Sequence, residues 1–289
     1  MPSNTSALPF TKMQGVGNDF VVIDAREHPA REWSGLAEEI CDRHFGIGAD
    51  GLLVIDRSHV AAAAMRMFNP DGTPDFCGNG LRCVARYLVD DNRRRTEDGS
   101  RHSPLTIATL AGVRTATVSG EIVTVDMGEP RFAPEDIPMR VSRERVVDYP
   151  LNVLGEKLRV TALSTGTTHT VIFVDELPDD DRFLSLGPAI EHHPLFPERT
   201  SIMWTKVDGP SSVKMRIWER GAGETWGCGS GACAAAVAAV IHGIDGGPIS
   251  VHSKGGTLTV DWSEGSPIKM TGPAEFVFTG EYPLDPEDM

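Results

Sequence analysis

Two cysteines stand in the same tetrapeptide, Cys-Gly-x-Gly, at separate places in the chain. The first is Cys77-Gly78-Asn79-Gly80 and the second is Cys228-Gly229-Ser230-Gly231. An apolar run follows each one and predicts a helix that is buried on most faces. The first turn of a helix presents unpaired N–H groups and a partial positive charge, and glycines let a ligand come close. Each tetrapeptide therefore predicts a thiol beside an anion site suited to a carboxylate.

The positive end of a helix favours thiolate over thiol, so we expect lowered pKa values for Cys77 and Cys228. If both helix starts met on one substrate, one thiolate could remove the proton from the carbon next to the carboxylate. The opposing thiol would deliver a proton to the other face, which inverts the stereocentre. Backbone amides of both helices would stabilise the negative charge that builds on the carboxylate.

The elements that must position these thiols are mostly strands. Short β-branched segments bounded by turn residues predict strands at residues 20–24, 52–55, 105–109, 113–119, 122–127, 157–163, 169–174, 201–207, 212–219, 249–253, 257–262 and 275–280. Apolar spacing predicts further helices over 34–44 and 183–193. The two Cys-Gly-x-Gly helices start 151 residues apart. This spacing predicts a duplicated unit: two similar β-rich domains, each around one central helix, with Pro130, Pro134 and Pro138 in a linker.

Length and charge limit the class of protein. A chain of 289 residues is long enough for two domains. Its 27 Lys and Arg against 41 Asp and Glu give a net charge of −14, which argues against nucleic acid as a partner. The basic cluster at 93–95 is followed by acidic residues and predicts a solvated loop. Neither a membrane-length apolar run nor a signal-peptide pattern is present, so we expect no membrane partner and a cytoplasmic location.

The remaining cysteines are expected to be structural. Five cysteines is an odd number and none forms a CxxC pair, which argues against a disulfide framework and against zinc. Cys41, Cys83 and Cys233 fall on helical faces, where a free cysteine packs as a small apolar side chain. We expect no metal and no cofactor.

The motifs that contain these residues resemble those of the diaminopimelate epimerase family. The resemblance covers nearly the whole chain, through residues 10–20 (FTKMQGVGNDF), 68–72 (FNPDG), 77–80, 219–225 (ERGAGET), 228–233 (CGSGAC) and 270–272. It implies an isomerase that converts LL-2,6-diaminopimelate to the meso form, in lysine and peptidoglycan precursor synthesis, without pyridoxal phosphate. It also implies a homodimer with a small amino-acid substrate.

The resemblance also specifies the fold. It implies an α+β fold of two pseudo-symmetric β-rich domains, each a curved, mostly antiparallel sheet wrapped around a central helix. The expected domains are residues 1–127 with 273–289, which carry Cys77, and residues 128–272, which carry Cys228.

The resemblance assigns roles to residues that match its motifs. Cys77 and Cys228 would be the acid/base pair, with His169 assisting Cys77 and Glu219 assisting Cys228. Gly78-Asn79 and Gly229-Ser230 would hold the reacting carboxylate, and Asn18 and Asn69 would contact the substrate. Arg220 would bind the distal carboxylate and Glu219 the distal amine. Because neighbouring residues of a strand point to opposite faces, we expect the strand to end at Glu219 and Arg220 to turn into the glycine loop.

Three expected substrate contacts depart from the family pattern. Gly166-Thr167-Thr168 replaces a turn that often contains proline, Ser201 replaces an asparagine, and Gly51 stands where some members carry glutamine. A hydroxyl offers fewer hydrogen bonds than an amide. A racemase for another amino acid therefore remains an alternative.

Two alternatives belong to other classes. Cys77 and Cys228 could form a redox or nucleophilic thiol site, although the absence of CxxC argues against it. A non-enzymatic β-rich binding protein would be favoured if both thiols titrated near the free value of about 8.5.

Overall fold

The computed structural model describes residues 7–27, 31–90, 104–244 and 247–284. The basic cluster at 93–95 lies outside the described residues. The chain divides into two compact units, residues 1–123 with 273–289 and residues 124–272. The first boundary falls at 123/124, where the sequence suggests 127/128.

Strands dominate both units, with four helices among them in the described residues. The helices are α1 (Trp33–Cys41), α2 (Gly78–Asp90), α3 (Asp180–Glu191) and α4 (Gly229–Ile241). The strands are β1 (Ala7–Gly15), β2 (Asn18–Asp24), β3 (Gly51–Asp56), β4 (Ala63–Phe68), β5 (Pro74–Asp75), β6 (Leu105–Thr109), β7 (Gly112–Ser119), β8 (Ile122–Gly128), β9 (Val146–Val153), β10 (Glu156–Ser164), β11 (Thr168–Phe173), β12 (Ser201–Gly209), β13 (Ser212–Glu219), β14 (Gly223–Thr225), β15 (Ile249–Ser253), β16 (Gly256–Asp261), β17 (Ile268–Pro273) and β18 (Glu275–Pro283).

The first unit is built on strands that are covered on both faces. β1 pairs antiparallel with β18 and β2, β2 runs parallel to β3, and β3 is antiparallel to β4. β4 then pairs antiparallel with β5 and parallel with β6. Leu52 and Val54 join the core cluster that includes α1, whereas Leu53 lies against Gly80 of α2. Successive side chains point to opposite faces, so a strand between two helices reads as a continuous apolar run.

The second unit repeats this order of pairings. β10 is antiparallel to β11, β11 is parallel to β12, and β12 is antiparallel to β13. β13 pairs antiparallel with β14 and parallel with β15. Ile202 and Trp204 pack with α3 in the core, and Met203 lies against Gly231 of α4. The repeated topology confirms the predicted pair of β-rich units, each with one buried helix that starts after a Cys-Gly-x-Gly cysteine.

The structure differs from the predicted elements in two ways. Six strands lack a predicted counterpart. In β1, β4, β9 and β17, lysine, alanine, glycine and proline weaken the β pattern, and β5 and β14 are only two and three residues long. The expected proline linker is instead part of the second unit, where Ile137 and Met139 are buried in the core. Among the described residues, no helix has the length and apolarity to cross a membrane.

Candidate active site

Cys77 stands at the start of α2 in the first unit. Its Sγ accepts a hydrogen bond from the backbone N–H of Gly80 at 3.4 Å, and its carbonyl accepts from Leu81 N at 2.9 Å. A side chain at Gly80 would come within 2.8 Å of Leu53, so the glycine lets the helix start lie close to the sheet. Cys77 is half-buried, whereas the other four cysteines are buried. The thiol is therefore the most accessible of the five.

Asn18 and Asn79 lie beside this thiol. Asn18 Oδ1 is 3.6 Å from Cys77 Sγ and accepts from Asn79 Nδ2 at 3.2 Å. Asn79 is buried in the first turn of α2, beside Gly78. The first unit therefore brings together four of the residues that the sequence assigns to the site.

Gly51 and Asn69 have local structural reasons for their identity. A Cβ at Gly51 would lie 2.7 Å from Met67 Cε and 3.0 Å from the carbonyl oxygen of Phe68, so a larger side chain there would displace Met67 and crowd the backbone of β4. Asn69 follows β4 and donates from Nδ2 to Thr73 Oγ1 at 3.1 Å within a turn. Their substrate contacts stay a prediction.

Cys228 occupies the equivalent place in the second unit, as the N-cap of α4. Its Sγ accepts from Gly231 N at 3.4 Å and lies 3.5 Å from Ser230 Oγ. A Cβ at Gly231 would come within 2.5 Å of Met203 Cε and 3.2 Å of Cys228 Sγ, so a side chain there would displace Met203 and crowd the thiol. Gly229 lies between the thiol and Ser230 and is buried.

The electrostatics of Cys228 contradict the expected lowering of its pKa. Burial raises the pKa of the Cys228 thiol well above its ordinary value, and the charge of Glu219 raises it further. Hydrogen bonds from Ser230 and from Gly231 N–H act in the opposite direction but are smaller. The helix start therefore does not outweigh desolvation here.

Glu219 lies at the end of β13 and hydrogen-bonds the Cys228 thiol. Thr225 Oγ1 of β14 donates to Glu219 Oε1, which fixes the carboxylate across the glycine loop. The predicted end of the strand at Glu219 is confirmed.

Arg220 is exposed in the turn after β13. Its backbone N–H donates to Ser201 Oγ at 3.0 Å, and its guanidinium donates to the carbonyl of Glu198 at 3.2 Å. The Ser201 hydroxyl therefore supports the backbone of Arg220 from the start of β12. Gly221 follows with a φ of 78°, a left-handed conformation that favours glycine.

His169 is buried in β11, with 1% of its surface exposed. Its Nε2 lies 3.0 Å from Thr167 Oγ1, and its Nδ1 has no hydrogen-bond partner among the described residues. Burial lowers the pKa of His169 to about 3, and the positive charge of Arg220 contributes to the shift. The imidazole is thus neutral at neutral pH.

Glu191 is a buried carboxylate that sequence reasoning missed. It lies at the end of α3, 3% exposed, and accepts three hydrogen bonds. Gly221 N donates at 2.9 Å, Trp218 Nε1 at 2.8 Å and Arg199 Nη1 at 3.2 Å. Trp218 and Gly221 flank the Glu219-Arg220 pair, so Glu191 holds both sides of that turn. The sequence signal that could have identified Glu191 is an acidic residue on the apolar face of a predicted helix.

The segments that contain these site residues match those of known proteins. A family model described as diaminopimelate epimerase matches residues 10–133 and 161–277. A diaminopimelate epimerase of Pelotomaculum thermopropionicum is 46% identical over 282 residues, which cover 95% of this chain and 98% of that protein. One from Moorella thermoacetica is 44% identical over 284 residues, covering 96% and 99%.

A solved structure shares the fold at low identity. The hydroxyproline epimerase from Agrobacterium vitis, with bound trans-4-hydroxy-L-proline, superposes with a TM-score of 0.71 at 15% identity, covering 100% of this chain and 96% of that one. The α+β fold predicted from the sequence is therefore confirmed.

Proposed function

Because the chain belongs to the diaminopimelate epimerase family, we propose that it interconverts LL- and meso-2,6-diaminopimelate by proton exchange at one α-carbon. The observation that carries this proposal is the repeated helix start. In each unit a cysteine Sγ accepts a backbone N–H from the residue three positions on, at 3.4 Å, before a buried helix. Each start combines a proton-transferring group with N–H donors suited to a carboxylate.

In the proposed mechanism, Cys77 and Cys228 act on opposite faces of the same α-carbon. One sulfur takes the α-proton as its thiolate while the other thiol gives its proton to the opposite face. Charge and protons balance, because the thiolate that accepts a proton becomes a thiol and the donor becomes a thiolate. The two sulfurs exchange roles in the reverse direction.

The environment of Cys228 supports a starting role as proton donor. Burial and Glu219 keep this sulfur protonated. The carboxylate of Glu219, held by Thr225, would assist the return of a proton to Cys228. Neutral His169, which the resemblance assigns to Cys77, would act as a hydrogen-bonding group rather than as an acid.

The substrate contacts form the second part of the proposal. Gly78-Asn79 and Gly229-Ser230 would hold the reacting carboxylate, and Asn18, Asn69, Gly51, Thr167 and Ser201 would contact the remaining atoms. Arg220 would bind the distal carboxylate through its planar guanidinium, and Glu219 would bind the distal amine. The hydrogen bond between Glu219 and Cys228 favours its catalytic role.

The test is stereoisomer interconversion in deuterated solvent, without added pyridoxal phosphate. Purified wild type should convert LL-diaminopimelate to the meso form with deuterium incorporated at the α-carbon. Cys77→Ser and Cys228→Ser should each lose most of this activity, and Cys233→Ser, a buried cysteine of the same helix α4, is the matched control. Activity retained in both Cys77→Ser and Cys228→Ser would exclude the mechanism.

A substrate panel separates the proposed substrate from other amino acids. Diaminopimelate should react, whereas lysine, which lacks the distal carboxylate, should not. Arg220→Ala should raise the KM for diaminopimelate if a carboxylate binds there. Efficient racemisation of a monocarboxylic amino acid by the wild type, unaffected by Arg220→Ala, would favour the alternative racemase.

We also propose that the protein is a cytoplasmic homodimer. Three consecutive apolar residues of β18, Phe276, Val277 and Phe278, are 40%, 55% and 49% exposed. Phe278 packs against Phe10 and Arg86 lies over Phe276, so Val277 on the opposite face and the uncovered parts of the two rings form the apolar surface available to a second copy. Val277→Lys should lower the mass measured by sedimentation to that of a monomer. Reduced thiols require a reducing compartment, which supports the cytoplasm.

A further inference from the structure

Three side chains of the first unit form a relay that ends at the Cys77 thiol. Asp50 Oδ1 accepts from Arg43 Nη2 at 2.7 Å. Asp50 Oδ2 accepts from Asn18 Nδ2 at 2.7 Å and from the backbone N–H of Asp19 at 3.2 Å. The other end of the Asn18 amide, Oδ1, lies 3.6 Å from Cys77 Sγ.

This relay decides which end of the Asn18 amide meets the thiol. The oxygen and nitrogen of an asparagine side chain have nearly the same shape, so hydrogen-bond partners determine their placement. The Asp50 carboxylate, ion-paired with Arg43, can only accept hydrogen bonds. The Asn18 atom that faces Asp50 must therefore be the amide nitrogen, which leaves the carbonyl oxygen for Cys77.

The orientation has a chemical consequence for the sulfur. The N–H of Gly80 donates to Cys77 Sγ and favours the thiolate, whereas the Asn18 carbonyl accepts a hydrogen bond from the thiol. We propose that Asp50 is a positioning residue that holds the carbonyl oxygen of Asn18, rather than its amide nitrogen, toward Cys77. The catalytic meaning of this role rests on the proposed function, in which Cys77 transfers the α-proton. Asp50 thereby fixes the direction of the thiol hydrogen.

The change Asp50→Asn isolates this role with almost no change in shape. Arg43 is charged and forms its strongest hydrogen bond with an oxygen, so the new amide would present its oxygen to Arg43 and its nitrogen to Asn18, giving up the longer 3.2 Å hydrogen bond from the Asp19 N–H. Asn18 would then turn its own oxygen toward residue 50 and its amide nitrogen toward Cys77 and Asn79, and the Asn79 amide would turn with it to present its oxygen. A donor in place of an acceptor favours the thiolate, which is the form that reacts with alkylating reagents.

The experiment measures iodoacetamide alkylation of the substrate-free protein at pH 7, resolved by peptide mass spectrometry. Asp50→Asn should alkylate Cys77 about fivefold faster than the wild type, the ratio expected for one net hydrogen bond. Cys83 lies buried in the same helix α2 and should stay unmodified, which shows that the helix remains folded. Asp56→Asn removes another Asp–Arg ion pair of this unit and should leave the Cys77 rate unchanged.

An unchanged Cys77 rate with Cys83 protected would overturn the proposal. A second outcome, a parallel rise at Cys77 and Cys83, would show that Asp50→Asn unfolds. In the second case Asn18→Leu provides the decisive variant, since it leaves the Arg43 ion pairs in place. It should also speed alkylation of Cys77 with Cys83 protected, and no increase there would again exclude the role. The readout needs no substrate, so its failure is distinguishable from failure of the proposed epimerisation.

Discussion

Lowering the pH from 7 to 5 should destabilise the folded protein through His169 in particular. This imidazole is buried, its Nδ1 meets no hydrogen-bond acceptor among the described residues, and Arg220 adds a positive charge. Its pKa is lowered from 6.5 to about 3. As the pH falls below 6.5, the unfolded chain takes up a proton at this residue and the folded chain does not. The contribution of neutral His169 to the free energy of unfolding is therefore fully present above about pH 6.5 and is lost progressively toward pH 3.

The size of the effect follows from the two pKa values. Between pH 6.5 and pH 5 the unfolded state alone is protonated, and each pH unit corresponds to about 1.4 kcal/mol. The loss at pH 5 is therefore about 2 kcal/mol, a large part of the 5–15 kcal/mol typical of native proteins. Solvent does not screen the charge of a protonated His169 in the folded state, because only 1% of the residue is exposed.

Urea denaturation at pH 7 and pH 5 measures this loss by comparison with His169→Gln. Glutamine can still hydrogen-bond Thr167 but does not titrate, so the pH-dependent change in the free energy of unfolding should be about 2 kcal/mol smaller in the variant. All other groups titrate in both proteins and cancel. Equal pH dependence in wild type and His169→Gln would refute a neutral, buried His169.

Three further predictions concern packing around the proposed site and near α1. Glu191→Gln should raise the KM for diaminopimelate about tenfold, because one of its donors loses an acceptor and the turn that carries Arg220 shifts; steady-state kinetics with the exposed Glu176→Gln as control would check it. Gly46→Ala should lower the free energy of unfolding by about 1–3 kcal/mol, since its Cβ would lie 2.2 Å from a backbone oxygen. Gly35→Ala, in open space on helix α1, should instead raise it by up to about 1 kcal/mol.

The fold was predictable where the local pattern and the tertiary environment agree. β3 and the first part of β12, Ile202 to Trp204, read as continuous apolar runs because helices cover both faces there. β9 was not predictable, since Asp148 and Pro150 interrupt it and only pairing with β10 holds it in the sheet. The prediction of a linker at three prolines was wrong, because proline marks turns and turns also occur within a packed unit.

The site was predictable only as far as its chemistry is local. A cysteine, two glycines and a helix start are adjacent in sequence, and their hydrogen bonds follow from that adjacency. The pKa of Cys228 was predicted in the wrong direction, because burial depends on the whole unit. The roles of Glu191 and Asp50 were also invisible, since their partners at Gly221 and Asn18 lie about 30 residues away.

The registers of the two units explain how one scaffold supports two unlike thiol sites. Phe20 pairs with Gly51 in the first unit as His169 pairs with Ser201 in the second. Leu52 faces Phe68 as Ile202 faces Trp218, so Asn69 and Glu219 are equivalent as well. At these three positions the first unit carries an apolar ring, a glycine and a neutral amide, where the second carries an imidazole, a hydroxyl and a carboxylate. The duplicated backbone places each cysteine at an equivalent helix start, and at one of the three matching positions the charge of Glu219 raises the pKa of Cys228. Asn69→Glu would place a carboxylate in the first unit at the position equivalent to Glu219. It should therefore disfavour the Cys77 thiolate, as Glu219 disfavours that of Cys228.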